Sequence, residues 1–233
     1  PADRVNFLAD GWAMVQAGRA EPSSYLALVE NVGIDDGRPV WDQIITVFSA
    51  LNRLSRDRPE RPALQRYISA RLRTVFDRLG WDGSGSGDDD NTLLRGSLIW
   101  TLGELGDEAI IAEAKRRFAV FLSDPQSLPA ALRDSVTHVV GIAADRATYD
   151  TLLMLARKST VTNERLRYYY AAAAARDPTL ARATLDLTLG EEVPGTIVAG
   201  LIGAVASSEQ PDLAWDFLRK NYDALFAKQG PQF

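Results

Sequence analysis

At 233 residues, with 46% hydrophobic and 24% charged side chains, the chain has the balance of a globular protein, long enough for one or two domains with a buried core. Twenty-six Lys and Arg against 31 Asp and Glu leave a net charge of −5, which argues against nucleic acid as a partner, because such binding rests on neutralising phosphates. The lack of cysteine and a single histidine, His138, exclude disulfides, thiolate nucleophiles, zinc–cysteine sites and any multi-histidine metal site within these residues.

No run approaches the roughly eighteen apolar residues that span a bilayer, so a soluble protein without a membrane partner is expected. Cysteine usage leaves cytoplasm and periplasm both open. With no initiator Met and no signal-peptide pattern, residues 1–233 are expected to be a single helical domain of a longer chain, truncated at both ends.

Taken in order, apolar residues recur at three- and four-residue steps, the period of amphipathic helices. Residues 3–17 place Val5, Leu8, Trp12 and Val15 on one face, and Gly18 closes that helix. Pro22 suits a first helical turn, and Tyr25, Leu28 or Val29, and Val32 continue the pattern. The loop VGIDDGR at 32–38 leads to Pro39 and a third helix striped by Trp41, Ile44 or Ile45, Phe48 and Leu51. Two prolines in RDRPERP at 56–62 break it. Residues 64–79 carry Leu64, Ile68, Leu72, Val75 or Phe76, and Leu79 on one side, with Arg66, Arg71, Arg73 and Arg78 largely on the others, and Gly80 ends the helix. GSGSGDDD at 83–90 reads as a flexible acidic loop.

The stretch 91–118, NTLLRGSLIWTLGELGDEAIIAEAKRRF, reads as a helical hairpin. Leu94, Leu98, Thr101 or Leu102, and Leu105 share a face of its first helix. Gly106 supplies the left-handed turn, Asp107 an N-cap, and Glu108 a charge suited to the next helix dipole. Ile110 or Ile111, Ala114, Phe118 and Phe121 then stripe the second helix. Neither stripe can be buried alone, so the unit asks for neighbours like itself.

A connector with two prolines at 124–129 precedes a helix over 130–144 with Leu132, Val136, Val139 or Val140, and Ala143. Helices follow over 146–158 (Tyr149, Leu152 or Leu153, Ala156) and 163–176 (Leu166, Tyr169 or Tyr170, Ala173). Asp177-Pro178 is an N-cap with a first-turn proline, and Leu180, Thr184 and Leu187 carry that helix. The apolar run PGTIVAGLIGAVAS at 194–207 fits a strand by hydropathy, but its length and Gly/Ala content favour a buried helix. Residues 212–228 close the series with Ala214, Phe217 or Leu218, Tyr222 and Leu225. About a dozen short helices on short connections, spaced at roughly thirty to forty residues per pair, predict an all-α superhelix of antiparallel helix hairpins, HEAT-like in kind.

Chemistry-bearing residues are few. His138 lies mid-helix among valines and reads as a structural or partly exposed histidine. Asp88, Asp89 and Asp90 lack the alternating spacing and distal glutamate of a calcium loop and read as solvated. Gly83, Gly85 and Gly87 do not make a phosphate cradle, because the aspartates that follow would repel the ligand. Eight arginines fall between Arg53 and Arg78, and on the fourth helix they read as a solvated face. Of Tyr168, Tyr169 and Tyr170, which cover nearly the whole circumference, at least one ring belongs in the core, while another is free to line a wall and touch peptide.

Five stretches, in order, resemble the C-terminal helical domain of the zinc metalloaminopeptidases of the puromycin-sensitive, aminopeptidase-N and endoplasmic-reticulum types. They are DRVNFLADGWAMVQAG at 3–18, PVWDQIITVFSAL at 39–51, the run LGWDGSGSGDDDNTLLRGSLIWTLGELGDEAIIAEAKRRF at 79–118, RDPTLARATLDLTL at 176–189 and AWDFLRKNYDALF at 214–226. The third is similar to a glycine-tryptophan turn, a variable acidic loop and a leucine-leucine-arginine helix of that family. In the last, Tyr222 stands where relatives usually carry tryptophan.

The resemblance implies a non-catalytic domain that walls the active-site chamber of a zinc-dependent aminopeptidase. Its partners would be the catalytic domain of the same chain and peptide substrates. The family's His-Glu-x-x-His helix and Gly-x-Met-Glu-Asn stretch have no counterpart, since His138 is followed by Val139, Met14 by Val15 and Met154 by Leu155. Zinc is therefore implied for the parent catalytic domain and no cofactor for this segment. No catalytic or metal residue is carried over, and substrate-binding residues are left unassigned. Family members continue into further helices, so the terminal hairpin is expected to be incomplete, with an apolar edge. The hairpin pattern alone fits a second reading, a stand-alone HEAT-like scaffold for protein interaction.

Overall fold

Prolines and glycines set the helix boundaries in the computed structural model, which describes residues 2–83 and 89–229. Twelve helices follow one another among the described residues: α1 (Ala2–Gln16), α2 (Pro22–Glu30), α3 (Arg38–Leu54), α4 (Arg61–Leu79), α5 (Asp89–Glu104), α6 (Glu108–Ser123), α7 (Arg133–Ile142), α8 (Arg146–Lys158), α9 (Thr162–Ala173), α10 (Pro178–Leu187), α11 (Gly195–Ser207) and α12 (Pro211–Gln229). A 3-10 turn, Ala130–Leu132, precedes α7, and no strand occurs among the described residues. Proline occupies the first turn of α2, α3, α4 and α10, where its missing N–H costs nothing. Gly80 and Gly106, at φ 61° and 83°, end α4 and α5 in the left-handed region that a side chain disfavours.

The chain divides into two compact units: the described residues up to Asp107 with Pro129–Leu132, and Glu108–Leu128 with the described residues from Arg133 onward. In the first unit α1 packs on α2 and α3, α3 on α4 and α5, and α4 on α5. The odd-numbered helices thus form one row and the even-numbered ones lie beside it. Tyr25, Trp41, Ile44, Phe48, Ile68, Leu72, Leu98 and Leu102 are fully buried there. In the second unit α7, α9 and α11 form a row, α6 packs on α7, α8 on α9, α10 on α9 and α11, and α12 on α11. Its core includes Ile110, Val136, Val139, Tyr149, Leu152, Leu185, Val198 and Phe217. Each unit has the alternating rows expected of stacked helical hairpins.

Several stripes differ from the periodic reading. On α1, which packs on α2 and α3, only Leu8 is buried, and Val5, Trp12 and Val15 of the expected stripe are not. Residues 130–132 form a 3-10 turn, so α7 starts at Arg133. On α10 Leu185 is buried and Leu187 half-buried. Helix α11 buries one face, through Val198, Leu201, Ile202 and Val205, and leaves Ala199, Gly200 and Gly203 exposed. Helix α12 bends at Asn221 (φ −115°, ψ 16°), whose side-chain amide donates to the Phe217 carbonyl at 2.9 Å. Tyr222, expected in the stripe, is exposed just after the bend.

Candidate functional site

The chemistry-bearing residues singled out in the sequence are scattered over separate elements. His138 is half-buried on α7, between buried Thr137 and Val139. Residues 84–88 of the acidic loop lie outside the described residues. Asp89 and Asp90 form the first turn of α5, where carboxylates favour the helix dipole, and Asp90 accepts from Arg38 at 3.0 Å. Tyr168 and Tyr169 are core residues, and Tyr170 is 36% exposed. Its hydroxyl lies 2.1 Å from where a Cβ would stand on Gly200. Among the described residues no three His, Cys, Asp or Glu side chains gather where they could hold a metal ion.

The solvated-face reading fits the exposed Arg66 and Arg78 but not the half-buried Arg71 and Arg73. Arg71 reaches from α4 to the Val29 carbonyl at 3.0 Å and to that of Val32, with its guanidinium 5.4 Å from the Trp41 ring centre. Arg73 holds both Asp107 oxygens, at 3.1 and 3.2 Å, and Arg78 pairs with Asp35. These arginines tie α4 to the loop before α3 and to the end of α5. Their spacing shows the faces they occupy but not the distant carbonyls and carboxylates that they meet.

Arg95 is the most telling residue that periodicity passed over. It is 2% exposed, and donates to the Gly80 carbonyl at 2.8 Å and the Leu79 carbonyl at 3.3 Å. Those are carbonyls that a helix end leaves without an intrahelical partner. Trp81 closes the same turn edge-on against Phe76, with ring centres 5.6 Å apart. The glycine-tryptophan turn and the leucine-leucine-arginine helix are therefore one device: the arginine of the second satisfies the backbone of the first.

Two further networks fix surfaces in the second unit. Glu113 accepts from Arg116 at 2.6 Å and from Arg117 at 2.8 Å. Those hydrogen bonds, Arg116 first, hold its carboxyl well below the ordinary glutamate value, at about 2. Glu192 takes a two-pronged pair from Arg157 at 2.9 Å and a third bond from the Tyr169 hydroxyl at 3.2 Å. Burial raises the Tyr169 phenol, and the Glu192 charge raises it further. This network pins the α10–α11 connection to α8 and α9. Lys228 reaches the same connection through the Thr188 carbonyl at 2.8 Å and that of Gly190.

Two apolar concavities complete the picture. One, of about 500 Å³, lies between α1 and α2 and is lined by Phe7, Leu8, Leu28 and Val32 with Arg4 at its edge. The other, of about 620 Å³, runs between α11 and α12 along Ile202, Gly203, Trp215, Leu218, Tyr222 and Phe226. The arrangement offers rigid helical walls and apolar seats, with polar side chains spent on holding helix ends and loops.

Comparison with known proteins accords with that character. The chain is 31% identical over 232 residues to Aminopeptidase M1-A of Oryza sativa subsp. japonica, covering 96% of this chain and 26% of the relative. It is 25% identical over 239 residues to Aminopeptidase M1 of Arabidopsis thaliana, covering 99% and 27%. With Glutamyl aminopeptidase of Rattus norvegicus the identity is 24% over 228 residues, covering 96% and 24%. The chain thus spans about a quarter of the length of the curated relatives it matches. The ERAP1-like C-terminal domain family matches residues 1–233, and the chain belongs to that family.

Proposed function

We propose that the chain is the non-catalytic C-terminal domain of a zinc-dependent aminopeptidase, an enzyme that releases N-terminal residues from peptides. In this reading residues 1–233 form one helical domain of a longer polypeptide. Its partners are the catalytic domain of the same chain and the peptide substrate. The helical rows wall the active-site chamber, govern which peptides enter and hold the parts of the peptide distant from the reacting bond. Closure of such a wall excludes water and completes the site, a gating contribution and not a chemical one.

Zinc belongs in this reading to the catalytic domain, which would supply the His-Glu-x-x-His helix and the later glutamate. The residues of the present segment do not fit that ion, with one histidine and no cysteine in the sequence. No step of the reaction is assigned to them.

The observation that carries the proposal is the family match over all 233 residues, against aminopeptidases of which the chain spans about a quarter. The scaffold reading has no comparable support. The test uses the purified chain, assayed for bound zinc by metal analysis and for release of a fluorescent amine from aminoacyl amides. Neither stoichiometric zinc nor release is expected, and either result from the chain alone contradicts the proposal.

A further inference from the structure

Charge is unevenly placed on this chain. Residues 53–66 hold five arginines, at 53, 56, 58, 61 and 66, against Asp57 and Glu60, although the whole chain carries −5. Arg56 and Arg61 are half-buried. Arg53 at the end of α3, Arg58 on the connection to α4 and Arg66 in the second turn of α4 are exposed. These three make no ion pair among the described residues. Leu54 stands beside Arg53 and is 74% exposed, more than any other large apolar side chain among the described residues.

The connection presenting these groups is ordered by its own hydrogen bonds. The N–H of Ser55 donates to the Leu51 carbonyl at 3.0 Å, that of Arg58 to Ser55 at 2.9 Å and that of Arg61 to Arg58 at 3.1 Å. Beneath them Asn52, 9% exposed, accepts through Oδ1 from Arg61 at 3.1 Å and from Gln65 at 3.0 Å. That bond places Arg53 and Arg66, the next residues on, at the same end of the α3–α4 pair. Pro59 and Pro62 restrict the backbone further. Side chains offered from a turn already in place lose less entropy when a partner binds.

Unpaired guanidinium groups around an exposed leucine match a segment in which Asp or Glu flank an apolar residue. Each guanidinium can fork to a carboxylate, and Leu54 supplies apolar area. A broad polyanion matches less well. A bilayer or a nucleic acid would also face the acidic remainder of the chain, and would meet Asp57 and Glu60 inside the patch, which a short segment with spaced carboxylates passes by. The chain's own Asp89 and Asp90 do not serve. They open α5 beside Arg38, and Arg38 lies about 22 Å from Arg53 along α3 by helical rise.

We propose that the α3–α4 connection docks an acidic segment of another protein, with Arg53, Arg58 and Arg66 pairing with its carboxylates and Leu54 meeting an apolar side chain between them. The inference does not depend on the aminopeptidase reading.

The probe is a fluorescein-labelled peptide of about twelve residues, glutamates on both sides of a central leucine, acetylated so that no aminopeptidase can consume it. Fluorescence anisotropy follows its titration with the 233-residue chain. Binding saturates, and weakens about tenfold between about 50 and about 200 mM salt. Arg53→Glu with Arg58→Glu weakens it about tenfold or more, and Leu54→Ser about threefold. Arg219→Glu with Lys220→Glu, the same change of net charge at exposed positions of α12, leaves it within about twofold. Equal thermal midpoints show that the variants are folded, and Arg53→Gln with Arg58→Gln replaces the glutamate pair if that one is not.

Absence of saturable binding, or equal loss in the two double variants, overturns the proposal. So does tighter binding of phosphatidylserine vesicles or of a single-stranded RNA that the Arg53 and Arg58 variant loses, which would assign the patch to a membrane or to nucleic acid. Self-association of the chain that the same variant abolishes would assign it to a second copy. Loss of peptide binding in the parent polypeptide would assign it to an interface within that parent, and overturns the proposal as well. Failure of the aminopeptidase reading shows in zinc content and amine release, and moves none of these affinities.

Discussion

Arg95 joins two stretches that are fifteen positions apart through hydrogen bonds from a buried guanidinium to the end of α4. Arg95→Ala leaves the Leu79 and Gly80 carbonyls without that donor, and a loss of about 2–3 kcal/mol is expected. Arg95→Lys recovers only part of it, because an ammonium cannot fork to two carbonyls as a planar guanidinium does. Urea denaturation midpoints measure both, and an unchanged midpoint for Arg95→Ala removes the stapling role. A second residue gives a pH-dependent test. The Glu113 carboxyl is depressed in the folded protein, so its contribution is present above the unfolded value near 4.3 and fades as pH falls towards about 2. Glu113→Gln therefore costs about 0.5–1 kcal/mol at neutral pH and almost nothing at pH ~2, the modest scale of a partly exposed pair. A loss independent of pH would contradict this assignment. The Glu113 pairs lie at three- and four-residue helical spacing, which a sequence shows, whereas the role of Arg95 has no such local sign. Arg95 stood out only through the family resemblance, since a side chain reaching back across a turn leaves no periodic trace.

Among the elements, α7 and α9 approach closely at Gly141. A Cβ on Gly141 would stand 1.9 Å from the Ala171 carbonyl oxygen and 2.6 Å from its carbon, both backbone atoms that cannot swing aside. Gly141→Ala is expected to destabilise by about 2–3 kcal/mol through overpacking, even though alanine favours a helix by about 1 kcal/mol. Gly203→Ala is the control: the same helical substitution into open space should raise stability by up to about 1 kcal/mol. Thermal unfolding of the pair reads the difference, and equal shifts would contradict the close approach. The helices themselves were legible because period and punctuation agree. Asp177, for example, accepts from Thr179 and Leu180 at 2.7 and 3.2 Å as the N-cap that its place before Pro178 predicts. Burial was less legible. The apolar run over 194–207 reads as wholly buried, yet α11 exposes its Gly/Ala side, because composition measures how apolar a face is and not whether a neighbour covers it.

For the molecule as a whole, none of the helices among the described residues is long and apolar enough to cross a membrane. The functional reading concerns what rigid helical walls do for a reaction carried out elsewhere in the parent. Binding energy from parts of a peptide far from the scissile bond accelerates reaction only where a surface exists to collect it. Deleting this segment from the parent is therefore expected to lower kcat/KM for long peptides about tenfold more than for single aminoacyl amides, a difference of about 1.4 kcal/mol. Equal losses on both substrates would argue for a purely structural contribution. All-helical architecture and the absence of the peptidase motifs within these residues were both legible in the sequence, because periodicity and motif spacing are local. The surfaces that meet peptide or a neighbouring domain were not, because they depend on which faces the hairpin rows leave uncovered.

The central claim, that this is one domain of a zinc aminopeptidase, is tested most directly by sequencing the source reading frame upstream of Pro1. The account predicts a Gly-x-Met-Glu-Asn stretch followed by His-Glu-x-x-His and a later glutamate in the same frame. A start codon immediately before Pro1, with no such motifs, would contradict it and leave a self-standing helical protein whose partner must be sought on its exposed faces.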